Sequence, residues 1–344
     1  VVLASGLAFP DALAAGPLAS SRNGPVLLTS PDALPPAVVE EIARLAPSEI
    51  FLVGGPNAIS PEVEATLEEL TTASVQRIHG ANRYETAAAV AAYAFPRAQQ
   101  LYLASGEHFA DAVSAGGPAG QRSQPVLLTR RAALPAETAA QIARLGNPDV
   151  IVVGGEGAVS NTAMGHVRVR TSGTVRRVGG TDRYLTNSAI SRDSYVQYDV
   201  GHAVLVTGTD FADALASGPY AKQMKTVVLL TRPHCVPPEA LTEIYRLGLS
   251  YVTIIGGTGA VGVNVQKLVP CGPPVTPLYS FIDSASGASS GLYTRWDPCG
   301  QPIRYQIYHE PGITISPGEI SAVAQAVDRA EEATLGQPLC DRAL

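Results

Sequence analysis

The chain has 344 residues, enough for several small domains with cores of their own. Its net charge of −6 argues against a nucleic-acid binder that relies on bulk electrostatic attraction to phosphate. No apolar run approaches the roughly 20 residues that a membrane-spanning helix needs, so we expect no membrane span.

Three phrases recur in the same order along the chain, at intervals of about 100 residues. The aspartates of the first phrase, Gly-x-x-Phe-x-Asp-Ala, are Asp11, Asp111 and Asp213. The threonines that end the second phrase, Val-Leu-Leu-Thr, are Thr29, Thr129 and Thr231. The third phrase, an apolar residue followed by two glycines, has its glycines at 54–55, 154–155 and 256–257. Repetition of a whole small domain favours an array of binding modules over a single active site.

A fourth phrase, Arg-x-x-Gly-x-x-Arg-Tyr, occurs only at residues 77–84 and 177–184. We call it the arginine box and interpret it as the start of a module. The predicted modules are residues 1–76, 77–174 and 175–271. The first has no box and begins in the strand-like run Val1-Val2-Leu3 without an initiator Met, so we interpret the chain as an internal piece of a longer protein. We expect its first module to lack an opening strand and helix.

Within a module, short apolar runs alternate with helix-length stretches. Continuous apolar runs of four to six residues are typical of parallel strands covered on both faces. Asn82 and Asp182 are suited to cap the helices that follow them. The order of strands and helices predicts an α/β fold of parallel sheets. In the second module we expect helices at 83–94, 110–115 and 136–145 and strands at 101–104, 125–129 and 150–153.

The composition changes near Gly272. The Pro-, Gly- and Ser-rich residues 272–290 are typical of a linker. In residues 291–344 an alternating run at 303–308 predicts a strand and residues 317–333 predict a helix, a short α+β segment.

The four cysteines are even in number and lie outside any Cys-x-x-Cys spacing, which favours disulfides over zinc. By neighbourhood, Cys235 pairs with Cys271 and Cys299 pairs with Cys340. The alternative is four free thiols in a reducing compartment.

Taken together, the four phrases in residues 1–271 resemble three tandem cell-wall-binding repeats of the type 2 family. The resemblance implies a secreted protein of a Gram-positive bacterium that is held non-covalently on anionic wall polymers, such as a teichoic-acid-like polymer or an acidic polysaccharide. It also implies Rossmann-like modules that pack around a pseudo-threefold axis. It implies no cofactor.

The tail resembles the start of a matrixin-type zinc metalloprotease domain. Residues 295–299, Arg-Trp-Asp-Pro-Cys, and 303–305, Ile-Arg-Tyr, carry this resemblance. The departure is the missing His-Glu-x-x-His motif, whose paired histidines would face a zinc ion together. No two of the six histidines stand four residues apart, so we expect no catalytic metal site and no enzyme activity in this chain. A catalytic helix, if the parent protein is a protease, would lie beyond Leu344.

The repeated aspartates allow two interpretations. Asp11, Asp111 and Asp213 each precede an Ala-rich helix, which favours helix N-caps. They also follow strands whose carboxyl ends form the ligand edge of open α/β sheets, so they are candidate ligand-binding residues.

The second arginines of the boxes, Arg83 and Arg183, lie in the first turn of a helix, where the dipole disfavours a cation. Either a carboxylate, most simply an aspartate of a neighbouring module, or an anionic ligand would offset this. We expect the adjacent Tyr84 and Tyr184 to be packing residues. The threonines Thr29, Thr129 and Thr231 are further candidates for ligand contact or capping.

Two other functions stay open. The run Gly-x-Gly-x-x-Gly at residues 257–262 fits a dinucleotide turn, which would make the chain a nucleotide-using Rossmann-like enzyme. The equivalent turns of the first two modules, at 55–60 and 155–160, lack this set of glycines. This favours a sharp turn after a buried strand over a dinucleotide-binding turn. The array also fits a structural spacer. Wall anchoring is the function that we predict.

Overall fold

The computed structural model of the protein describes residues 1–272, of which Val1–Cys271 form one unit. The predicted segment 291–344, the Cys299–Cys340 pair and all of the predicted linker beyond Gly272 lie outside the described residues. None of the described helices is long and apolar enough to cross a membrane.

Three parallel sheets follow one another along residues 1–272. The first consists of β1 (Val2–Ser5), β2 (Val26–Thr29), β3 (Glu49–Val53) and β4 (Ser74–Ile78), in the spatial order β2-β1-β3-β4. The second consists of β5 (Gln100–Ser105), β6 (Val126–Thr129), β7 (Asp149–Val153) and β8 (Val175–Val178), in the order β6-β5-β7-β8. The third consists of β9 (Ala203–Thr207), β10 (Val227–Thr231) and β11 (Val252–Ile255), in the order β10-β9-β11.

Helices connect the strands. Those of the first module are α1 (Phe9–Ala12), α2 (Ala15–Ser21), α3 (Pro36–Leu45) and α4 (Pro61–Leu70). Those that follow up to the second box are α5 (Arg83–Ala94), α6 (Ala110–Gln121), α7 (Ala136–Arg144) and α8 (Asn161–Arg168). The remaining ones are α9 (Arg183–Ser194), α10 (Ala212–Met224), α11 (Pro238–Arg246) and α12 (Val263–Gln266).

The predicted fold class is confirmed as three parallel α/β modules. The central strands are almost wholly buried because helices cover both faces of each sheet. The predicted caps also form: the side chain of Asn82 accepts hydrogen bonds from the amides of Tyr84 and Glu85, and that of Asp182 does the same for the second box.

The arginine box spans two modules. Its first residues lie in β4, which pairs with β3 in the first sheet, whereas α5 packs on β6 and α7 of the second module. The second box is divided in the same way between β8 and α9. The expectation that the first module lacks a strand is therefore wrong, because the strand of each box belongs to the preceding sheet. The boundaries 1–76, 77–174 and 175–271 remain proposals for the sequence repeat.

The modules meet on the helices that follow their first strands. Helices α2, α6 and α10 pack against one another in pairs. The approach is close: a Cβ atom added to Gly120 would lie 2.4 Å from Oγ of Ser20. At one end of these helices the rings of Phe9, Phe109 and Phe211 form a triangle with centroid distances of 5.9, 5.9 and 6.2 Å. One buried apolar cluster joins all three modules, and each module has a second cluster under its outer helices.

A disulfide joins Cys235 to Cys271, the pairing expected from the sequence, with the Cα atoms 4.9 Å apart. It connects the loop after β10 to the residues after α12. The chain beside it is also held by backbone hydrogen bonds of 2.8 Å from Val236 to Val269 and from Cys271 to Val236. These contacts close the third module around its short last helix.

Candidate ligand clefts at the module interfaces

The repeated phrases lie where the parallel strands end. The Phe-x-Asp phrase follows the first strand of each sheet, and the two glycines follow the third strand. Parallel strands place their carboxyl ends at one edge, which is where open α/β sheets bind ligands. The first glycines, Gly54, Gly154 and Gly256, have φ angles of 128°, 101° and 129°, which favour glycine over other residues. The predicted sharp turn is thus present in all three copies.

The aspartates are not N-caps, so the capping interpretation is wrong. The cap position of α6 is Phe109, whose backbone is already helical, and no side chain caps this end. Helix α10 begins in the same way at Phe211, and Asp11 likewise lies inside α1. Because α6 and α10 each begin one residue before the aspartate, and α1 two residues before it, the carboxylates lie in the first turn, where the helix dipole still favours them.

Each aspartate instead packs against the first glycine of the glycine pair in its own module. A Cβ atom added to Gly154 would lie 2.2 Å from Oδ2 of Asp111. The corresponding distances are 2.8 Å between Gly256 and Asp213 and 3.3 Å between Gly54 and Asp11. The aspartate and the glycine turn therefore form one structural unit, a pairing that the separate phrases did not reveal.

Arg83 lies at the interface of the first and second modules. Its guanidinium carbon is 5.7 Å from the ring centroid of Phe9, and Nη1 donates a hydrogen bond to the carbonyl oxygen of Gly106. Arg183 repeats this arrangement one module later, 5.3 Å from the ring of Phe109 and bonded to the carbonyl of Gly208.

No ion pair involves either arginine among the described residues. The expected pairing of these arginines with aspartates of a neighbouring module is therefore not formed there. An arginine side chain has five N–H donors, so one carbonyl contact leaves most of them free for a ligand.

A second pair of arginines was missed by the sequence reasoning. Arg130 lies 5.1 Å from the ring centroid of Tyr84, and Arg232 lies 5.0 Å from that of Tyr184. Both arginines are exposed, and both directly follow the Val-Leu-Leu-Thr phrase. The residue after this phrase is Ser30 in the first module. Because we compared only residues that are identical in all three modules, these two arginines were not selected as candidates.

The two tyrosines pack as predicted. Tyr84 is 5% exposed and Tyr184 is 7% exposed, and burial raises the pKa of both phenols. Each ring supports the arginine that stacks on it. Each of the two interfaces therefore presents two arginines around one buried tyrosine.

Asp111 is the most buried of the repeated aspartates, with 8% exposure. Burial raises the pKa of its carboxyl to about 6, although Arg183, His108 and the hydroxyl of Thr186 favour the charged form. Burial also raises the pKa of Asp213, and the neighbouring Asp210 adds to this effect. The carboxylate beside Arg183 is thus poorly solvated.

The threonines are buried and their hydroxyls bond to the protein itself, so their role as ligand contacts stays a prediction. Thr29, Thr129 and Thr231 are each at most 1% exposed. Thr29 and Thr129 donate to carbonyl oxygens of the loops that follow them, and Thr231 donates to the carbonyl of Val206. Their hydroxyls hold the ends of the buried strands.

The first arginine of each box supports the glycine turn. Arg77 donates to the carbonyls of Gly54 and Ile59 at 3.0 and 2.9 Å and pairs with Glu64 at 2.9 Å. Arg177 donates to the carbonyl of Gly154 at 2.8 Å. The first arginine of each box therefore makes its contacts within one module, whereas the second lies at the interface between two modules.

The Gly-x-Gly-x-x-Gly run forms the same turn as its siblings. The amides of Ala260 and Val261 both donate to the carbonyl of Gly257, at 2.9 Å each. The residues that follow Gly55 and Gly155 make the equivalent bonds. The turn therefore belongs to the repeat and does not depend on the additional glycines.

The candidate site is defined as two equivalent groups of residues at the carboxyl edge of the sheets, which we call clefts. Cleft one, between the first and second modules, consists of Phe9, Asp11, Arg83 and Arg130. Cleft two, between the second and third modules, consists of Phe109, Asp111, Arg183 and Arg232. Each cleft combines a carboxylate and a ring from one module with cations carried on the next, so the modules must be assembled for it to exist.

Comparison with known proteins agrees with this repeated architecture. The family model of cell wall binding domain 2 matches residues 1–64, 77–164 and 177–266. The chain is 28% identical over 286 residues to the N-acetylmuramoyl-L-alanine amidase LytC of Bacillus subtilis, covering 83% of this chain and 55% of that protein. It is 29% identical over 267 residues to the amidase enhancer of the same organism, covering 78% of this chain and 36% of that protein.

Two solved structures share the fold. Cwp6 from Clostridium difficile matches with a TM-score of 0.72 and 24% identity, over 78% of this chain and 43% of that one. Cwp8 from the same organism matches with a TM-score of 0.70 and 26% identity, over 78% of this chain and 46% of that one. The chain thus spans about half or less of the length of these relatives. The family model accounts for all three modules, and the chain belongs to the cell wall binding domain 2 family.

Proposed function

We propose that the three modules anchor a secreted protein non-covalently to anionic polymers of a Gram-positive cell wall. Family membership supports wall binding, and the paired arginines at the two module interfaces support an anionic ligand. The whole chain is acidic, with a net charge of −6, so the attraction is local to the clefts.

The chemistry of the clefts fits phosphate or carboxylate groups. A guanidinium binds either group through two parallel N–H donors, and stacking on an aromatic ring holds its plane in place. We infer a teichoic-acid-like polymer or an acidic polysaccharide as the ligand. Because such a polymer repeats its charge, one strand can occupy both clefts and gain affinity from their linkage.

Substitution of both interface arginines tests this proposal. In Arg83→Ala/Arg183→Ala, binding to purified walls should weaken by about tenfold or more, since each cleft loses a charged donor worth more than about 1 kcal/mol. Arg44→Ala/Arg97→Ala removes two exposed arginines outside the clefts and is the charge-matched control. Co-sedimentation gives the affinity, and circular dichroism verifies the fold. Equal binding by both variants would give Arg83 and Arg183 a structural role only.

We further propose that residues 291–344 begin a matrixin-type protease domain in the parent protein. The phrases at 295–299 and 303–305 support this assignment. The codons after Leu344 test it: we expect a His-Glu-x-x-His helix, and a continuation without paired histidines would end the idea.

A further inference from the structure

Three exposed tyrosines lie at the end of the third module opposite the clefts. Tyr198, Tyr245 and Tyr251 are 79%, 65% and 56% exposed. Tyr198 lies on the loop that leads into β9, Tyr245 lies in the last turn of α11, and Tyr251 directly precedes β11. These segments lead into the strands and so lie at the amino-terminal edge of the third sheet. We call this surface the tyrosine platform.

Tyr251 is held flat by a histidine. Its ring stacks on His202 with centroids 4.5 Å apart and planes 13° apart. These two residues directly precede β11 and β9, whose register pairs Val252 with Ala203, so the sheet fixes the stack. His202 is 2% exposed, and burial lowers its pKa, which favours the uncharged imidazole. The protein supports one face of the tyrosine, and the side chain remains largely open to solvent.

Tyr198 has an unusual backbone conformation. Its φ angle is 69°, a conformation that bulky residues rarely adopt. A small turn holds it there: the amide of Val196 donates to Oδ2 of Asp199 at 2.9 Å, and the amide of Asp199 donates to the carbonyl of Val196 at 3.2 Å. Its ring lies beside the turn after α11, since a Cβ atom added to Gly248 would be 3.5 Å from its Cε1.

The repeat shows that the fold does not need the rings of Tyr245 and Tyr251. The positions equivalent to Tyr251 are Glu49 and Asp149 in the first two modules, and those equivalent to Tyr245 are Ala43 and Ala143. The platform is therefore an addition to the third module. An exposed ring in an unfavourable backbone conformation and a second ring stacked on a buried histidine, both at this edge of the sheet, indicate selection for contact with a ligand.

We propose that the tyrosine platform binds the pyranose ring faces of neutral wall glycan, as a subsite separate from the anionic clefts. The C–H groups on a sugar face carry slight positive charge and contact the electron-rich face of an aromatic ring, while phenol hydroxyls bond to sugar hydroxyls. The stack of Tyr251 on His202 fixes one flat ring face that a sugar ring can cover. The proposal rests on wall binding as the function of the modules.

Variants that carry the residues of the sibling modules test the platform with little risk to the fold. The full chain and Tyr245→Ala/Tyr251→Glu are titrated with a neutral tetramer of β-1,4-linked N-acetylglucosamine, followed by calorimetry and by tyrosine fluorescence. We expect saturable binding by the unaltered chain and a loss of tenfold or more in the variant. Tyr93→Ala, at an exposed tyrosine elsewhere, should bind as the unaltered chain does.

Arg83→Ala/Arg183→Ala separates this inference from the proposed function. It should keep its affinity for the neutral tetramer while losing affinity for intact walls. Absence of tetramer binding by the unaltered chain, or equal binding by the platform variant, would overturn the inference. So would a change of oligomeric state in the platform variant, measured by sedimentation, because the tyrosines would then form an interface between copies.

Discussion

At the scale of single residues, the interface arginines show how a residue in an electrostatically unfavourable position can indicate a site. The sequence places Arg83 where the helix dipole is unfavourable, and this alone predicts a compensating partner. The structure supplies the carbonyl of Gly106 and the ring of Phe9, both outside α5. Sequence reasoning could predict the need for a partner, but its identity depends on how modules pack, which no local pattern encodes.

Asp111 should make stability depend on pH. Burial raises the pKa of its carboxyl to about 6. Between about pH 4 and pH 6 the folded state therefore still holds a proton that the unfolded state has released. The unfolding free energy should therefore fall as pH rises through this window. Asp111→Asn has no such titration. Its unfolding free energy, relative to that of the unaltered chain, should therefore rise by about 2 to 3 kcal/mol from pH 4 to pH 7.

Urea unfolding at several pH values measures this difference. Asp32→Asn, which removes an exposed carboxylate, is the control and should follow the unaltered chain. Parallel pH profiles for Asp111→Asn and the unaltered chain would show that Asp111 is ionised as easily as an exposed aspartate.

At the scale of elements, the buried strands and the capped helices could be predicted, because continuous apolar runs and cap residues are local signals. Helix α6 was predicted to end at residue 115 but continues to Gln121. Residues 116–118, Gly-Gly-Pro, disfavour a helix locally. Packing of α6 on α2 and α10 outweighs that preference, and the close approach to α2 is at Gly120, beside Ser20. The polar strands β4 and β8 were also missed. Alternate side chains on these strands are exposed, and neither strand contains the apolar run by which the other strands were predicted.

The disulfide should stabilise the end of the third module. Helix α12 has four residues, whereas α4 has ten and α8 has eight, so less packing holds this end. Cys235 and Cys271 are 36 residues apart, and a loop of this size implies a loss of about 3 to 4 kcal/mol when the cross-link is removed. Alanine occupies the equivalent positions 33 and 133, so Cys235→Ala introduces no strain of its own.

Denaturation and hydrogen exchange of Cys235→Ala/Cys271→Ala provide the measurement. We expect a lower unfolding midpoint and faster exchange in residues 263–271, while the second module keeps its protection. Unchanged exchange in this segment would mean that the backbone bonds to Val236 are sufficient without the cross-link.

At the scale of the whole molecule, the clefts exist only because the modules assemble. Helices α2, α6 and α10 share one apolar cluster, and the phenylalanine triangle brings the three Phe-x-Asp phrases together. The number of modules could be read from the repeat, whereas their mutual packing followed from resemblance to a family. The interfaces could not be predicted residue by residue, because their small and aromatic residues also fit the core of a single module.

Binding of the full chain to purified walls, before and after chemical removal of the anionic polymers, tests the central claim most directly. If the arginine clefts bind those polymers, removal should lower the affinity by at least tenfold, and added salt should weaken the binding that precedes removal. Equal affinity for intact and stripped walls, with no effect of salt, would contradict anchoring through the clefts.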